Sequence, residues 1–221
     1  MLLGILLVHM KSLEHIYHTH HETNRGEGFV LLGDERGKFL AENIGTGKNV
    51  LDIGCRDGAL TRSYANGNTV LGLDIDSAAL AKAREKLWVE TKQVDLNGDW
   101  GVPAETFDVV VAAEVVEHLY YPGVVLDKIV AALKPGGILL GTVPNAFSLK
   151  NRLRYLRKQK RYTPLSDPTH INHFTVTELE VLLGAQFAEC EVGGFGKYRR
   201  LAARFPQTFA FDLWFTAKKS L

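Results

Sequence analysis

Cysteine is scarce in this sequence, which contains only Cys55 and Cys190 among its 221 residues. A small secreted scaffold held by disulfides needs several cysteines, so that class is excluded and a reducing compartment, the cytoplasm, is expected. An excess of one charge is also missing, because 26 Lys and Arg residues face 25 Asp and Glu residues. No overall field draws the chain to nucleic acid, and we expect no DNA partner.

Long apolar runs are missing as well. The first ten residues, MLLGILLVHM, are mostly apolar, but a bilayer crossing takes roughly 20 such residues. They also lack the basic start and small-residue cleavage site of a signal peptide. We expect no transmembrane segment and a terminal strand or helix that packs on the domain, unless translation begins at Met10. With 46% hydrophobic residues and no repeats, the chain suits one domain with a full core.

Apolar runs alternate with amphipathic segments from residue 49 onward. Strands are predicted at 49–54, 69–74, 91–95, 107–113, 137–143, 190–195 and 209–217, with a long loop between the last two. Helices are predicted at 34–44, 58–65, 77–87, 122–133 and 175–185. This alternation predicts an α/β fold with a mostly parallel, doubly wound sheet and helices on both faces. Residues 1–37 are predicted to form a helical cap over the ligand cleft, and residues 38–221 the main domain.

The stretch VLDIGCRDGAL (50–60) organises the rest of the chain. It predicts a strand, a glycine turn and a helix start, and glycine lets the backbone turn sharply beside a ligand. An acid that ends the next strand, here Asp74, lies beside the ribose in a βαβ unit of this length. The turn lacks the G-x-G-x-x-G pattern of a pyrophosphate site. Asp52 and Asp57 would repel an anionic ligand and suit an ammonium or sulfonium group.

This stretch resembles motif I of the class I S-adenosylmethionine (SAM)-dependent methyltransferases. The resemblance extends from about residue 38 to the end through VLGLDIDSAALAKA, FDVVVAAEVVEHL, LKPGGILLGTVPN and THINHFTVTELEVLL. It implies a Rossmann-like sheet of seven strands with an antiparallel last strand. The nearest look-alikes are small-molecule and sugar methyltransferases and ubiquinone-type O-methyltransferases. One departure is Arg56, which replaces the middle glycine of the motif and either crowds the methionine end of SAM or points outward.

The predicted SAM-binding residues lie at the carboxyl ends of the strands. Asp52 and Gly54 are expected to hold the amino acid end, Asp74 the ribose hydroxyls, and Ile75, Asp95 and Leu96 the adenine, with Glu114 or Ala113 near the methionine part. Cys55 and Gly58 complete the cofactor-binding turn. An alternative for Asp95 is a turn-forming role before Asn97-Gly98.

The pattern Glu114-x-x-Glu117-His118 is the candidate catalytic group. Its spacing would place all three side chains on one helical face, and two carboxylates with an imidazole suit Mg²⁺, Mn²⁺ or Zn²⁺. The predicted metal ligands are Glu114, Glu117, His118 and His173, with His170 as the alternative histidine. The pattern is similar to the metal site of small-RNA terminal 2′-O-methyltransferases. Metal-free relatives carry it too, so roles for Glu117 and His118 in catalysis, or in structure alone, stay open. The histidines at 9, 15, 18, 20 and 21 offer a weaker metal hypothesis.

Residues 145–174 form a predicted lid insertion. Its cations lie between Lys150 and Arg161, and Leu149, Leu153 and Leu156 give it an apolar edge at helical spacing. Such a helix contacts an anionic substrate or a membrane surface, or merely faces water. A second basic group is Lys197, Arg199, Arg200 and Arg204. The sequence thus predicts a SAM-dependent methyltransferase that acts on a small molecule or sugar, at oxygen. Its rivals are an RNA 2′-O-methyltransferase and a non-catalytic SAM-binding domain.

Overall fold

The computed structural model describes residues 12–24 and 26–221. The predictions for the first ten residues, including His9 and a start at Met10, lie outside this part. The seven strands are β1 (Asn49–Ile53), β2 (Thr69–Asp74), β3 (Glu90–Gln93), β4 (Phe107–Ala113), β5 (Leu133–Pro144), β6 (Glu189–Phe195) and β7 (Asp212–Lys218). They form one sheet in the order β3-β2-β1-β4-β5-β7-β6. β7 is antiparallel to both β5 and β6, and the other neighbours are parallel. The predicted fold class is confirmed.

Helices cover both faces of this sheet. They are α1 (Leu13–Asn24), α2 (Gly33–Ile44), α3 (Ser77–Leu87), α4 (Pro122–Ala132), α5 (Leu149–Leu156), α6 (Val176–Gly184), α7 (Arg199–Arg204) and α8 (Pro206–Phe209). On one face, α2 packs Leu40 and Ile44 against strand residues such as Val109. On the other face, α4 and α6 bury Ile129 and Leu179. Among the described residues, none of these helices has the length and apolar character needed to cross a membrane.

Three segments differ from the sequence-based expectation. The helix predicted at 58–65 is only a 3₁₀ turn at Thr61–Ser63, because the hydroxyls of Thr61 and Tyr64 turn inward to the Asp52 carboxylate, each at 2.6 Å. The loop expected before the last strand contains α7 and α8, and Pro206 at the start of α8 delays β7 until Asp212. The predicted boundary between residues 37 and 38 falls inside α2.

The carboxyl ends of the parallel strands meet along one edge of the sheet. Asp74 is the last residue of β2, and Pro144 is the last residue of β5. The connections that follow β5 and β6 leave from the same edge, so α5, α7 and α8 lie on that side. α1 also reaches this edge, since its His18 bonds to Asp76 just past β2. The strand ends and α1 therefore lie together at this edge.

Candidate functional site

One cleft opens at the carboxyl edge of the sheet, between the strand ends and α1. Most residues predicted from the sequence to bind the cofactor line this cleft, namely Asp52, Gly54, Cys55, Asp74, Ile75, Asp95, Leu96 and Glu114, and so does His118. Gly58 is not among the lining residues. Its φ is +74°, and a Cβ there would lie 2.6 Å from Leu87 Cδ1, so glycine is needed for packing against α3.

Gly54 turns the chain directly after β1. Its φ is +72°, and a Cβ there would lie only 2.5 Å from Cγ2 of Val115. Its backbone N–H donates to the carbonyl of Leu73 in the next strand, at 2.7 Å. The close approach of Val115 and the left-handed backbone both exclude a side chain. This is the sharp turn that the glycine spacing predicted.

Asp74 is a buried carboxylate at the tip of β2. Its Oδ1 accepts from the N–H of Asp76 and its Oδ2 from the N–H of Arg56, both at 2.9 Å. A carboxylate offers about four acceptor positions, so these two bonds leave acceptor capacity for a ligand. Burial raises the pKa of Asp74 to about 6, against the lowering effect of the N–H groups of Asp76, Arg56 and Ile75. The side chain is thus held in place by backbone donors while it faces the cleft.

Asp52 is the second buried acid of the cleft. Burial raises its pKa to about 6, although the hydroxyls of Thr61 and Tyr64 donate to it and oppose that rise. Both hydroxyls bond to Oδ2. Asp95 has the turn-forming contact foreseen as its alternative, because its Oδ1 accepts from the N–H and the side-chain amide of Asn97 at 2.9 and 3.0 Å.

Arg56 lines the cleft, and its side chain reaches toward the segment that covers the turn. Its φ is +52°, a backbone region that favours the glycine of the motif. The guanidinium donates to the carbonyls of Gly26 and Phe29, and the neighbouring Asp57 carboxylate accepts from the N–H of Gly28 at 2.7 Å. The chain that follows Gly28 then lines the cleft with Phe29, Val30 and Leu31. Arg56 therefore ties the motif turn to the segment that covers it.

A buried ion pair determines where Glu114 points. Arg36 of α2 lies with Nη2 2.8 Å from Glu114 Oε1 and 2.7 Å from Asp212 Oδ2, and its guanidinium is 3% exposed. Glu114 has φ +58°, and the following 3₁₀ turn begins only at Val116. The expected single helical face through Glu114, Glu117 and His118 is therefore wrong, because the chain reverses at Glu114. The sequence did not indicate this role for Arg36, which is one of several charged residues in a predicted helix.

The side chains of Glu117, His118 and His170 converge beside the cleft. One ligand atom from each lies within 4.8 Å of the others. Glu117 is 2% exposed, and neither of its carboxylate oxygens accepts a hydrogen bond from the described residues. Burial, with the Glu114 carboxylate nearby, raises the pKa of Glu117 well above its usual range. This group differs from the predicted metal set, because Glu114 pairs with Arg36 and the approaching histidine is His170, not His173.

The orientation of His118 is fixed by the lid segment. Its Nδ1 lies 2.8 Å from the carbonyl oxygen of Thr169. A carbonyl only accepts, so Nδ1 carries the proton and Nε2 presents a lone pair. Nε2 lies 3.9 Å from Oε1 of Glu117. An imidazole held in this tautomer can take a proton or bind a metal through Nε2.

Two further residues of α1 lie near this group: Tyr17, which was missed at the sequence level, and His20, which was named only in the weaker histidine-cluster hypothesis. His20 of α1 lies with Nε2 3.4 Å from Asp167 Oδ2, and the same carboxylate oxygen lies 3.7 Å from His170 Nε2. Tyr17 of α1 packs edge-on to the His118 ring at 5.9 Å between centroids. Tyr17 and His20 are three residues apart on α1, and Asp167 is three residues before His170. These spacings place each pair on one side of its own segment. They gave no indication that α1 lies next to the lid.

The comparisons with known proteins agree with this geometry. A family model described as a methyltransferase domain matches residues 25–187. The ubiquinone biosynthesis O-methyltransferase of Nitrosococcus oceani is 36% identical over 97 residues, which cover 41% of this chain and 41% of that protein. The chain thus spans about two fifths of this relative's length.

Two solved structures share the fold over nearly the whole chain. A SAM-dependent methyltransferase from Archaeoglobus fulgidus has a TM-score of 0.67 at 20% identity and covers 92% of this chain and 99% of its own. Phosphoethanolamine N-methyltransferase 2 of Haemonchus contortus, in complex with S-adenosyl-L-methionine, has a TM-score of 0.67 at 19% identity over 92% of this chain and 56% of its own. Because the family model matches most of its length, the chain belongs to the methyltransferase-domain family, and it shares the fold of both solved structures.

Proposed function

We propose that this enzyme transfers the methyl group of SAM to an oxygen of a small-molecule or sugar acceptor. The observation that carries the proposal is the His118 imidazole, whose Nδ1 lies 2.8 Å from the Thr169 carbonyl oxygen, so that the proton is on Nδ1 and the basic lone pair is on Nε2. His118 also lines the cleft shared with Asp74. Methylation of a hydroxyl needs an acceptor for its proton, whereas methylation of a neutral amine does not need one before attack.

The SAM roles assigned from the sequence fit the lining residues. Asp74 would accept from the two ribose hydroxyls with its remaining acceptor positions, and Asp95 would accept from the adenine amino group between Ile75 and Leu96. Asp52, behind the Gly54-Cys55 turn, would place negative charge toward the methionine end. Glu114, held by Arg36, would lie close to the same end. All of these residues line one cleft.

The chemistry is an in-line displacement at the activated methyl carbon. The acceptor oxygen forms the new C–O bond, the C–S bond breaks, and S-adenosylhomocysteine leaves as a neutral thioether. The hydroxyl proton passes to Nε2 of His118. Since the methyl group is already activated by the sulfonium, alignment of the oxygen with the C–S bond supplies most of the rate enhancement, and the base adds to it.

A divalent metal beside the acceptor is the second candidate. It is favoured by Glu117, whose two buried oxygens accept no hydrogen bond from the described residues, next to His118 and His170. One carboxylate and two imidazoles fit a borderline cation. When bound, it would lower the pKa of an acceptor hydroxyl. Calorimetry with Mn²⁺ on the wild type and on Glu117→Gln separates this candidate from the base alone, independently of turnover.

The proposed oxygen acceptor is supported by the function of one relative. The relative from Nitrosococcus oceani is an O-methyltransferase of ubiquinone biosynthesis, which favours a hydroxyl as the methylated group. The test is a radiolabelled methyl-transfer screen with phenolic, sugar-nucleotide and RNA acceptors, and calorimetry for SAM in parallel. Transfer to RNA with a steep salt dependence would favour the RNA rival. SAM binding without transfer to any acceptor would favour the non-catalytic rival. Since Cys55 and Cys190 are both free thiols, we also infer a reducing compartment such as the cytoplasm.

SAM affinity should fall as the pH drops below about 6. Burial raises the pKa values of Asp74 and Asp52 to about 6, and the ionised forms attract the sulfonium nucleoside. Each carboxylate that must be ionised costs up to about tenfold in affinity per pH unit below its pKa.

The folded state favours the protonated form of Asp74 and Asp52. Their protonation as the pH falls from about 6 to about 4, the ordinary pKa of an aspartate, therefore does not destabilise the apo fold. Burial raises the pKa of Cys55 well above its usual range, so this side chain stays a thiol. The pKa of Asp76 is lowered, because the N–H of Ala79 and His18 outweigh the raising effect of burial. Calorimetry between pH 4.5 and 8, with circular dichroism at each pH, tests this. A flat SAM affinity with an intact fold would contradict it.

Replacing Arg56 by glycine should loosen the cover of the cleft without weakening the fold. The variant loses the guanidinium bonds to Gly26 and Phe29 but gains a residue that tolerates φ near +52°. We expect SAM to dissociate roughly fivefold faster, the equivalent of about one hydrogen bond. Stopped-flow displacement of SAM measures this rate.

Lys158→Gly is the matched control for Arg56→Gly. It replaces another left-handed residue, with φ +58°, that does not line the cleft. The same relief of backbone strain is expected there with an unchanged dissociation rate. Equal rates for Arg56→Gly and the wild type would show that Arg56 does not hold the cover.

A further inference from the structure

Two basic segments leave the carboxyl edge of the sheet and are not explained by SAM binding. The first, residues 145–166, contains seven cations and no acid: Lys150, Arg152, Arg154, Arg157, Lys158, Lys160 and Arg161. The second, residues 196–211, also contains no acid and holds Lys197, Arg199, Arg200 and Arg204. In a chain of net charge +1, these two segments concentrate positive charge. We call these two segments, which contain the helices α5 and α7, the basic edge.

Apolar side chains are exposed along the same helices. On α5, Leu149, Leu153 and Leu156 follow one helical face and are 44%, 46% and 80% exposed. A similar row, with spacings of three and four residues, runs from just before α7 to just after it. Its side chains, Tyr198, Leu201 and Phe205, are also exposed. A helix that only faces water does not need leucines repeated along one face, so this row indicates a face that is covered by a partner. The pattern of apolar residues within a cationic border is therefore a feature of the surface and not of the core.

The two helices lie on adjacent parts of the edge. The side-chain amide of Asn145 donates to the carbonyls of Pro206, Gln207 and Ala210 in and just after α8. Asn151 of α5 in turn donates to the carbonyl of Asn145 at 2.9 Å. α7 and α8 are joined through Phe205. The start of α5 is thus fixed to the turn that follows α7, so the two apolar rows lie on neighbouring segments of the same edge.

In the part of the chain that the structure describes, the cations of the basic edge form no ion pairs with acids. Across residues 12–24 and 26–221, the ion pairs of Lys and Arg involve Arg36, Lys38, Lys82, Lys86, Lys134 and Lys219 and none from these segments. Arg152 and Arg154 donate to backbone carbonyls instead. Three others lie over exposed aromatic rings, Arg161 on Tyr162, Lys197 on Tyr198 and Arg204 on Phe205. An anionic partner would therefore meet full positive charge.

We propose that the basic edge docks on an anionic phospholipid bilayer. Exposed leucines and aromatic rings gain by entering the headgroup–acyl boundary, while the surrounding Lys and Arg pair with acidic headgroups. Long cationic side chains reach the headgroups while their stems cover apolar surface. A nucleic acid would account for the cations and the rings but not for the leucine row, since RNA is bound through phosphates and stacked bases. The docking goes beyond methyl transfer and does not depend on the acceptor.

The orientation places the cleft near the bilayer. The basic edge and the cleft belong to the same carboxyl edge of the sheet, and the cleft rim carries the exposed Phe29, Leu31 and Tyr120. A protein docked through α5 and α7 would therefore open toward the membrane side. An acceptor of low water solubility would then reach the cleft from the bilayer.

Vesicle co-sedimentation of the full chain tests the proposal. The probes are phosphatidylcholine vesicles with and without phosphatidylglycerol, at low and high salt. We expect binding that needs phosphatidylglycerol and weakens with salt. Leu153→Ser with Leu156→Ser should reduce binding at least tenfold, and Arg157→Gln with Lys158→Gln should reduce it severalfold. All four side chains are exposed, and thermal melting with calorimetry for SAM checks that both variants are folded.

Two controls match these variants. Val181→Ser removes an apolar side chain that is 69% exposed on α6, and Lys38→Gln removes an exposed cation on α2; both should bind like the wild type. No dependence on phosphatidylglycerol would overturn the proposal. So would leucine variants that bind fully while only the charge variants fail, since that marks a general polyanion surface. Failure here leaves the methyl-transfer proposal standing, because that is read out with soluble acceptors.

Discussion

Replacing Asp74 by alanine should weaken SAM binding by roughly 100-fold or more while the protein stays folded. The carboxylate is fixed by the N–H groups of Asp76 and Arg56, and each of its oxygens can still accept from a ribose hydroxyl. A hydrogen bond to a charged group contributes about 1.5–3 kcal/mol, and each 1.4 kcal/mol is about tenfold in affinity. Calorimetry with SAM and with S-adenosylhomocysteine gives the loss directly. Both ligands carry the ribose, so both should weaken alike.

Two variants separate ribose recognition from support of the turn. Asp74→Asn keeps one oxygen for a backbone N–H and should recover part of the fold stability but little of the affinity. Asp99→Ala removes an acid that also closes a turn, through its bond to the N–H of Gly101 at 2.9 Å, but does not line the cleft. It should bind SAM normally. If the Asp74→Ala protein bound SAM with wild-type affinity, this would contradict the proposal that Asp74 binds the ribose hydroxyls.

The strands could be predicted from the sequence because their signals are local. Each buried parallel strand is a short apolar run that ends in a polar residue or a glycine, as at Ile53-Gly54 and Leu73-Asp74. The positions of acids after those runs then located the cleft edge without any tertiary information. The antiparallel β7 came from family resemblance, since nothing in residues 212–218 marks its direction.

The parts that were missed depend on contacts between distant segments. Glu114 was placed on a helix with Glu117, but the buried Arg36 from α2 and Asp212 from β7 hold it apart. A helix was expected at 58–65, but the bonds from Thr61 and Tyr64 to Asp52 outweigh its weak local preference. α1 brings Tyr17 to the His118 ring and His20 to the Asp167 carboxylate over more than a hundred residues of sequence. Periodicity carries no information on such pairings.

Replacing His118 by asparagine should lower kcat by about 10²–10⁴-fold, the usual contribution of a general base, with SAM affinity within about twofold of the wild type. Asparagine is chosen because its side-chain amide can still donate to the Thr169 carbonyl, which His118 Nδ1 bonds at 2.8 Å. The lid contact is then kept and only Nε2 is lost. Single-turnover methyl transfer with saturating SAM measures the chemical step. Because the acceptor hydroxyl loses its proton acceptor, the loss should be in kcat and not in the KM for SAM.

The same series distinguishes a base from a metal ligand. If His118 acts alone as the base, His170→Asn should cost little, and a chelator should leave the rate unchanged. If Glu117, His118 and His170 hold a cation together, then Glu117→Gln and His170→Asn should each lower kcat as strongly as His118→Asn, and Mn²⁺ should restore activity after chelation. His15→Asn alters an exposed histidine of α1 and is expected to be silent. A His118→Asn enzyme within threefold of the wild-type kcat would contradict both roles, because alignment of the methyl group by the cleft would then account for the whole rate.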